Sequence, residues 1–441
     1  MTNGEAPGNY NRVMARWSRA VSMLLLRRSR NAHRLSAANP LESATAMAEH
    51  SRPAVVVNAR AVARLRAAHP WIYRSDVVSA EGAGPGALVE VKSERRRLLG
   101  TAFYSTASEI ALRLLSPAKI ENLGELVRER VRHAVEYRRN VVRDTDAYRV
   151  IFSEADELPG LIVDRYNDVL VLEALTQATD ADETKQAAVA ELVEQFAPAG
   201  IVERAEPRIR QLEQLPPRQD GLLHGEKNET IFTMNGVRFH QRALTGQKTG
   251  AFLDQRENYA AAAACAHGEA LDVFCYQGGF ALHLARVCPH VTGVDSSRPA
   301  LEQAEQNAAL NPGLPEIEWI EANAFDLLKD YATAGRQYDT IVLDPPAFAR
   351  SRRALQTALR GYKELNLRAL KMLRPGGILV TCSCSYHVGE DEFVEMLASA
   401  AVDAHRSVRI LEKRGQSKDH PIVLTIPETS YLKCVIAVVS H

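Results

Sequence analysis

The sequence predicts an α/β protein. A doubly wound, mostly parallel sheet forms its C-terminal part, preceded by a small β-rich module and a central α+β unit. Three observations carry this reading. From about Gln241, short apolar runs (ALDVF, VTGVD, IEWIEA, YDTIVLD, GGILVTCS) alternate with helical stretches such as SSRPALEQAEQNAALN and TALRGYKELNLRALKML. Strands separated by helices pair in parallel through crossovers. Upstream of Gln241 the apolar runs are short and divided by turn residues. Finally, Gly278-Gly279 in DVFCYQGGFA falls at the first strand-to-helix turn, where such sheets hold their ligands.

Residues 1–46 stand apart. They hold seven arginines (12, 16, 19, 27, 28, 30 and 34) against Glu5 and Glu42, a net of +5, and one short apolar cluster, Val21 to Leu26. That cluster is short for a secretory core, and no clear cleavage site follows. The segment reads as a disordered extension or a start assigned too early, with Met47 as the alternative start. A transit peptide is the competing reading.

Residues 52–118 form the β-rich module. Trp71 and Tyr73 alternate as in a strand after the His69-Pro70 break. GAGPGALVEVKSERRRLLGTAFYS then gives a turn, a strand, a charged hairpin and a strand, ending near Pro117. The central unit, 119–240, opens with a helix over Glu125 to Val142, where apolar residues fall at helical spacing. LIVDRY and VLVLEAL flank Asn167-Asp168, a hairpin turn, because Asn and Asp tolerate positive φ. A helix from Asp182 to Phe196, a strand at Ile201 to Glu203 and short strands between Gly221 and His240 complete it. Residues 241–441 are the parallel-sheet domain.

Composition sets bounds. The 441 residues are 46% hydrophobic and 24% charged, as in ordinary globular proteins. No apolar run approaches the roughly 20 residues of a membrane span. The six cysteines lack metal-ligand spacing, and Cys382-x-Cys384 is not a zinc knuckle. Free thiols in a reducing, cytoplasmic compartment follow, with no metal and no membrane. The formal net charge is zero, so any nucleic-acid surface has to be a local patch.

The chemistry lies in the last domain. Gly278 and Gly279 let backbone approach a ligand closely. Sixteen residues on, Asp295 ends the next strand, where a carboxylate accepts both ribose hydroxyls of a nucleoside. Asn323, after the third strand, faces an adenine edge. A dinucleotide site would call for G-x-G-x-x-G, which the turn lacks. Asp344-Pro345-Pro346 follows the apolar run TIVL, and the prolines keep that corner extended. Cys382 and Cys384 end the next strand, two residues apart and so on one face. Periodicity does not choose between them, and both fit buried strand positions too. An activated thiol beside a donor site suits methylation of a pyrimidine carbon. C5 of cytosine is a poor nucleophile until a thiolate adds to C6. An arginine, or the N–H groups of a turn at Ser385 to Gly389, is the expected aid to ionising that thiol.

These motifs resemble the class I S-adenosylmethionine-dependent methyltransferases. Asp272, Gly278 and Gly279 match the first motif, Asp295 the ribose acid, and Asp344-Pro345-Pro346 the fourth motif. Tyr276 departs from the pattern, standing where many members have glycine. From about residue 54 the chain is similar to PUA-containing 23S ribosomal RNA cytosine-C5 methyltransferases. The likeness runs through RAAHPWIYRSDV, ELPGLIVDRYNDVLVLE, GQKTGAFLDQRENY, DVFCYQGGFA, LDPPAFARS, RGYKELN, SCS and DHPI…PETSYLKC.

The resemblance implies a PUA-like RNA-binding module and S-adenosyl-L-methionine as cofactor. It implies large-subunit ribosomal RNA as partner, and leaves a homodimer open. It selects Cys384 as nucleophile, with Asp344 as the second catalytic group. The cofactor set is Asp272, Phe274, Tyr276, Gly278, Gly279, Asp295, Ser296, Asn323, Ala324, Asp344 and Pro345. The substrate set is Lys248, Gln255, Arg256, Pro346, Phe348 and Arg350, and Asp254 shares the LDQR stretch. Arg350, Arg352 and Arg353 suit phosphates, as do Arg95, Arg96 and Arg97 on the first module's hairpin. Ala347 occupies the position of the second cysteine that helps release product in many RNA cytosine-C5 methyltransferases, so release calls for another base. The alternatives are an RNA methyltransferase with another base target, such as a guanine nitrogen, and a non-catalytic RNA-binding or assembly factor.

Overall fold

The computed structural model describes residues 52–244, 250–349 and 351–440. The extension 1–46, Lys248 and Arg350 lie outside the described residues, with the expectations attached to them.

The first module is a six-stranded sheet. Its strands are β1 (Ala54–Val57), β2 (Trp71–Tyr73), β3 (Val77–Ser79), β4 (Leu88–Ser93), β5 (Leu98–Tyr104) and β6 (Ile110–Ser116), in the order β2-β6-β5-β4-β1-β3. β1 runs parallel to β4, and the other pairs are antiparallel. The helix Ala59–Arg66 starts on Asn58, whose side chain accepts from the Arg60 and Ala61 N–H groups. Val55, Val57, Ile72, Val89, Val91 and Leu112 make a separate small core. Arg95, Arg96 and Arg97 are exposed on the β4–β5 hairpin.

The helix Leu123–Val141 leads into a second sheet of β7 (Ala147–Phe152), β8 (Leu161–Tyr166), β9 (Val169–Ala174), β10 (Gly200–Arg204) and β11 (Gly221–Gly225), in the order β11-β10-β9-β8-β7. β8 turns into β9 at Asn167, whose φ of +51° matches the hairpin read from Asn-Asp. β9 and β10 are parallel, joined across the helix Asp182–Phe196. A ribbon of β12 (Glu229–Met234) and β13 (Val237–Arg242) follows.

The seven-stranded third sheet contains β14 (Glu269–Val273), β15 (His290–Asp295), β16 (Ile317–Glu321), β17 (Tyr338–Leu343), β18 (Leu373–Ser383), β19 (Ser407–Arg414) and β20 (Lys433–Ser440). The order is β16-β15-β14-β17-β18-β20-β19. β14 to β18 pair in parallel, and β20 lies antiparallel between β18 and β19. Both faces are covered, which explains the nearly unbroken apolar runs. Val342, Val380 and Cys382 meet Tyr259 and Phe280 on one side. Ile341, Leu343 and Leu379 meet Leu365, Leu370 and Phe393 on the other. The first of these cores also takes in Tyr166, Val171, Phe232 and Phe239. The central unit and the parallel-sheet domain therefore share packing across residue 241, where only the sequence pattern changes. Strand order reverses between β14 and β17, so the carboxyl ends of the strands open a crevice there.

Candidate active site

The turn after β14 is held in an uncommon backbone conformation. Phe274 (φ +69°), Tyr276 (φ +48°) and Gly278 (φ +86°) all lie in the left-handed region. For phenylalanine and tyrosine that conformation is strained, and such strain gathers at functional sites. Tyr276 thus takes up the backbone that glycine adopts freely. Its N–H donates to Asp295 Oδ2 at 2.9 Å, while Asp295 Oδ1 accepts from Ser297 N–H at 2.9 Å. The carboxylate is clamped at the end of β15 with lone pairs to spare. Asp272, fully buried, accepts from the Ala281 N–H at 2.8 Å. Its Oδ1 has no hydrogen-bond partner. Burial pushes its carboxyl well above the usual range, against the pull of the Ala281 N–H. Gly279 packs on Tyr259, and a Cβ there would sit 2.6 Å from the phenol ring. A narrow cleft runs between these groups, lined by Phe252, Phe274, Tyr276, Gly279 and Asp344.

Asp344 stands at the other wall. Its Oδ1 accepts from Gln255 Nε2 at 3.0 Å. Gln255 Oε1 accepts from Asn258 at 2.7 Å, and Asn258 Oδ1 from Arg414 at 2.9 Å. The relay fixes the carboxylate from behind. Pro345 follows it, and the Pro345 carbonyl lies 3.9 Å from Cys384 Sγ. The two motifs therefore meet across the ends of β17 and β18.

The two cysteines separate in the structure. Cys382 has no exposed surface and pairs with Cys434 across β18 and β20. Burial, with Cys434 beside it, pushes its thiol well up. β18 ends at Ser383, and Cys384 is half-buried just beyond it. The expected shared strand face is thus cut short, because the strand stops between the two. Cys384 is flanked by a buried hydroxyl cluster. Ser383 Oγ donates to Tyr362 Oη at 3.0 Å, Tyr362 Oη and Ser385 Oγ lie 2.9 Å apart, and Ser385 Oγ accepts from the Ala349 N–H at 3.1 Å. Lys433, at the start of β20, donates to the Ser385 carbonyl at 2.7 Å and the Tyr431 carbonyl at 2.9 Å.

A PUA-like domain family matches residues 55–117, and the S-adenosylmethionine-dependent methyltransferase family matches residues 155–424. The chain belongs to the S-adenosylmethionine-dependent methyltransferase family. It is 39% identical over 380 residues to the ribosomal RNA large subunit methyltransferase I of Shewanella denitrificans, covering 84% of this chain and 95% of the relative. It is 37% identical to the protein of the same name from Photobacterium profundum, with the same coverage. Among solved structures, an S-adenosylmethionine-dependent methyltransferase from Streptococcus mutans shares the fold. Its TM-score is 0.74 at 18% identity, over 88% of this chain and all of that one.

This methyltransferase uses S-adenosyl-L-methionine, and its donor cleft fits that group. A clamped acid at the end of β15, a glycine-bearing turn and an orphaned buried carboxylate oxygen stand together. Ser296 is exposed beside Asp295, and Ala324 is buried in the first turn after β16. Asn323 also serves as a helix cap. Its Oδ1 caps the helix Ala324–Thr333 by accepting from Phe325 and Asp326 N–H, so only its Nδ2 is left for a base edge.

Two of the expected substrate residues are buried. Gln255 is buried, and its Nε2 donates to Asp344, bracing that carboxylate. Arg256 is 1% exposed. Its guanidinium donates to Asp419 at 2.8 Å and to the Arg143 carbonyl at 3.2 Å. Asp254 accepts from the Tyr431 hydroxyl at 2.7 Å. The LDQR stretch thus anchors the C-terminal segment. Pro346, Arg352 and Arg353 are exposed, and Phe348 packs half-buried on Tyr362. Sequence reasoning missed Tyr362, Asn258, Asp419 and Lys433. RGYKELN, LDQRENY, DHPI and SYLK had marked all four stretches without giving these residues a task.

Proposed function

We propose that this methyltransferase forms 5-methylcytosine in large-subunit ribosomal RNA through a covalent bond between Cys384 and C6. The observation that carries the reading is the meeting of a half-buried thiol with the Asp-Pro-Pro corner, while its neighbour Cys382 is sealed in the sheet. Nitrogen methylation has no use for that thiol. The names of the relatives support the RNA class. The PUA-like module and its exposed hairpin arginines support an RNA partner. Among the described residues no helix is long and apolar enough to cross a membrane.

In this mechanism Asp295 holds the ribose hydroxyls and the turn from Phe274 to Gly279 shapes the pocket. S-adenosylmethionine supplies the methyl group. Asp344, braced by Gln255, accepts from the polar edge of the flipped cytosine. Cys384 adds to C6, which makes C5 enamine-like and able to take the methyl group. A base removes the C5 proton, which restores the C5–C6 double bond and expels the thiolate. The test is base-resolution mapping of 5-methylcytosine in ribosomal RNA with and without the gene. One site that disappears with the gene and returns with the wild-type copy is expected. A lost methyl mark on a guanine nitrogen would instead overturn the base assignment.

Asp295→Ala is expected to weaken S-adenosylmethionine binding by about 1.5–3 kcal/mol, the worth of charge-assisted hydrogen bonds. Calorimetric titration measures it, with an unshifted melting temperature as the folding control. Tyr362→Phe removes one hydroxyl between Ser383 and Ser385. It should lower turnover severalfold with donor affinity unchanged, because it loosens only the acceptor loop. Single-turnover kinetics beside the same titration separates the two effects.

A further inference from the structure

The covalent reading needs the Cys384 thiol ionised, and the sequence offers an arginine or the N–H groups of the Ser385 to Gly389 turn for that task. Among the described residues the structure brings Lys433 to that place. Lys433 pairs with Ser383 in the β18–β20 register, directly before Cys384. Its Nζ donates to the carbonyl of Ser385, directly after Cys384, and to that of Tyr431. The amine is therefore pinned between two carbonyls against the loop that carries the thiol. It is half-buried, so its charge is poorly hydrated and acts strongly at short range.

We propose that Lys433 is the positioning residue that makes Cys384 a thiolate, its amine taking the Sγ proton to give an ammonium–thiolate pair. The exchange balances: the S–H bond breaks, an N–H bond forms, and no net charge appears in the site. The same ammonium faces the sulfur when C6 expels it, so one group aids both the attack and the departure. This inference rests on the covalent reading.

The surroundings agree. Burial pushes the Lys433 ammonium down to about 8, opposed by the negative charges of Cys384 and Glu392. An amine so placed accepts a proton near neutral pH and is charged most readily when a thiolate faces it. Glu392 comes from the helix Glu390–Asp403, where it accepts from the Gly389 N–H at 2.8 Å. Tyr362 comes from the helix Leu355–Met372, its hydroxyl committed to Ser383 and Ser385. On the strand side stand Cys434 and Cys382, both buried. Arginine in place of Lys433 would keep a cation beside the sulfur, so the thiolate would still be stabilised although its proton would go to water.

The experiment reads the ionisation of Cys384 itself. Full-length wild type, Lys433→Met and Lys433→Arg are alkylated with iodoacetamide across about pH 6–10, and the Cys384 peptide is quantified by mass spectrometry. In the wild type the half-point should fall below the free thiol's value of about 8.5. In Lys433→Met it should rise by about one unit, a roughly tenfold loss of labelling at neutral pH, and Lys433→Arg should restore the low half-point. A wild-type half-point at or above the free-thiol value overturns the proposal even if Lys433→Met does not fold. Identical profiles for wild type and Lys433→Met also overturn it. A parallel incubation with RNA carrying 5-fluorocytosine separates the two ideas. An adduct at Cys384 with unchanged alkylation profiles removes the role of Lys433 alone. No adduct in the wild type removes the covalent reading beneath it.

Discussion

Cys384→Ala should abolish methyl transfer while S-adenosylmethionine binding and the melting temperature stay as in the wild type. Cys384 lies half-buried beyond the end of β18, outside the sheet core that Cys382 occupies. Its loss removes the only step that makes cytosine C5 nucleophilic in this mechanism. Cys382→Ala should do the reverse. Cys382 is fully buried among Val380, Tyr259 and Cys434, so its truncation opens a small cavity. A cost of about 1 kcal/mol in stability with most activity kept is the expected result. Methyl incorporation into RNA, read beside thermal unfolding, distinguishes the two. Activity that survives Cys384→Ala and vanishes with Cys382→Ala would exchange their roles.

Asp419→Ala should be the most destabilising single change. Asp419 has no exposed surface. It accepts from Arg256 at 2.8 Å and from the Arg149 N–H at 2.8 Å, and its carbonyl accepts from Arg138 at 2.8 Å. Burial alone would raise its carboxyl, but His420, Arg256 and the Arg149 N–H together hold it well below the usual carboxylate range. Truncation leaves the buried Arg256 guanidinium with only the longer 3.7 Å pairing to Glu257. Breaking such a pair costs about 3–5 kcal/mol. Because its folded value is depressed, the carboxylate's contribution is full above the unfolded value of about 3.9 and fades as pH falls toward the folded one. The melting temperature of the wild type should therefore fall on acidification below about pH 4 more steeply than that of Asp419→Asn. Arg256 directly follows Gln255, so activity should fall with stability. Denaturant unfolding with donor titration gives both numbers, and an Asp419→Ala protein as stable as wild type would remove the anchoring role.

Much of the fold was legible because it is local. The helix Asp182–Phe196 has the bounds that its spacing suggests, and the Asn167-Asp168 hairpin turns where its residues allow positive φ. The parallel strands announced themselves as apolar runs, since helices on both faces leave them no wet side. β19 and β20 escaped notice, because an antiparallel strand inserted between two others depends on partners far along the chain. The site divides in the same way. The donor turn and the Asp-Pro-Pro corner carry their geometry in contiguous residues. Gln255 and Arg256 do not. Their neighbours in the fold, Asp344 and Asp419, stand 89 and 163 residues away, and only those partners show that both side chains point inward. Lys433 was hidden for the same reason, 48 residues from the carbonyl that seats it.

The central claim is the bond between Cys384 and cytosine C6. The most direct measurement is mass spectrometry of the enzyme after reaction with S-adenosylmethionine and a ribosomal RNA fragment carrying 5-fluorocytosine at the mapped site. Fluorine at C5 cannot leave as a proton, so the methylated adduct should persist on the protein. The account predicts one cross-linked peptide, carrying Cys384, and none in Cys384→Ala. An adduct on Cys382, or turnover of authentic RNA with no adduct on any cysteine, would contradict it.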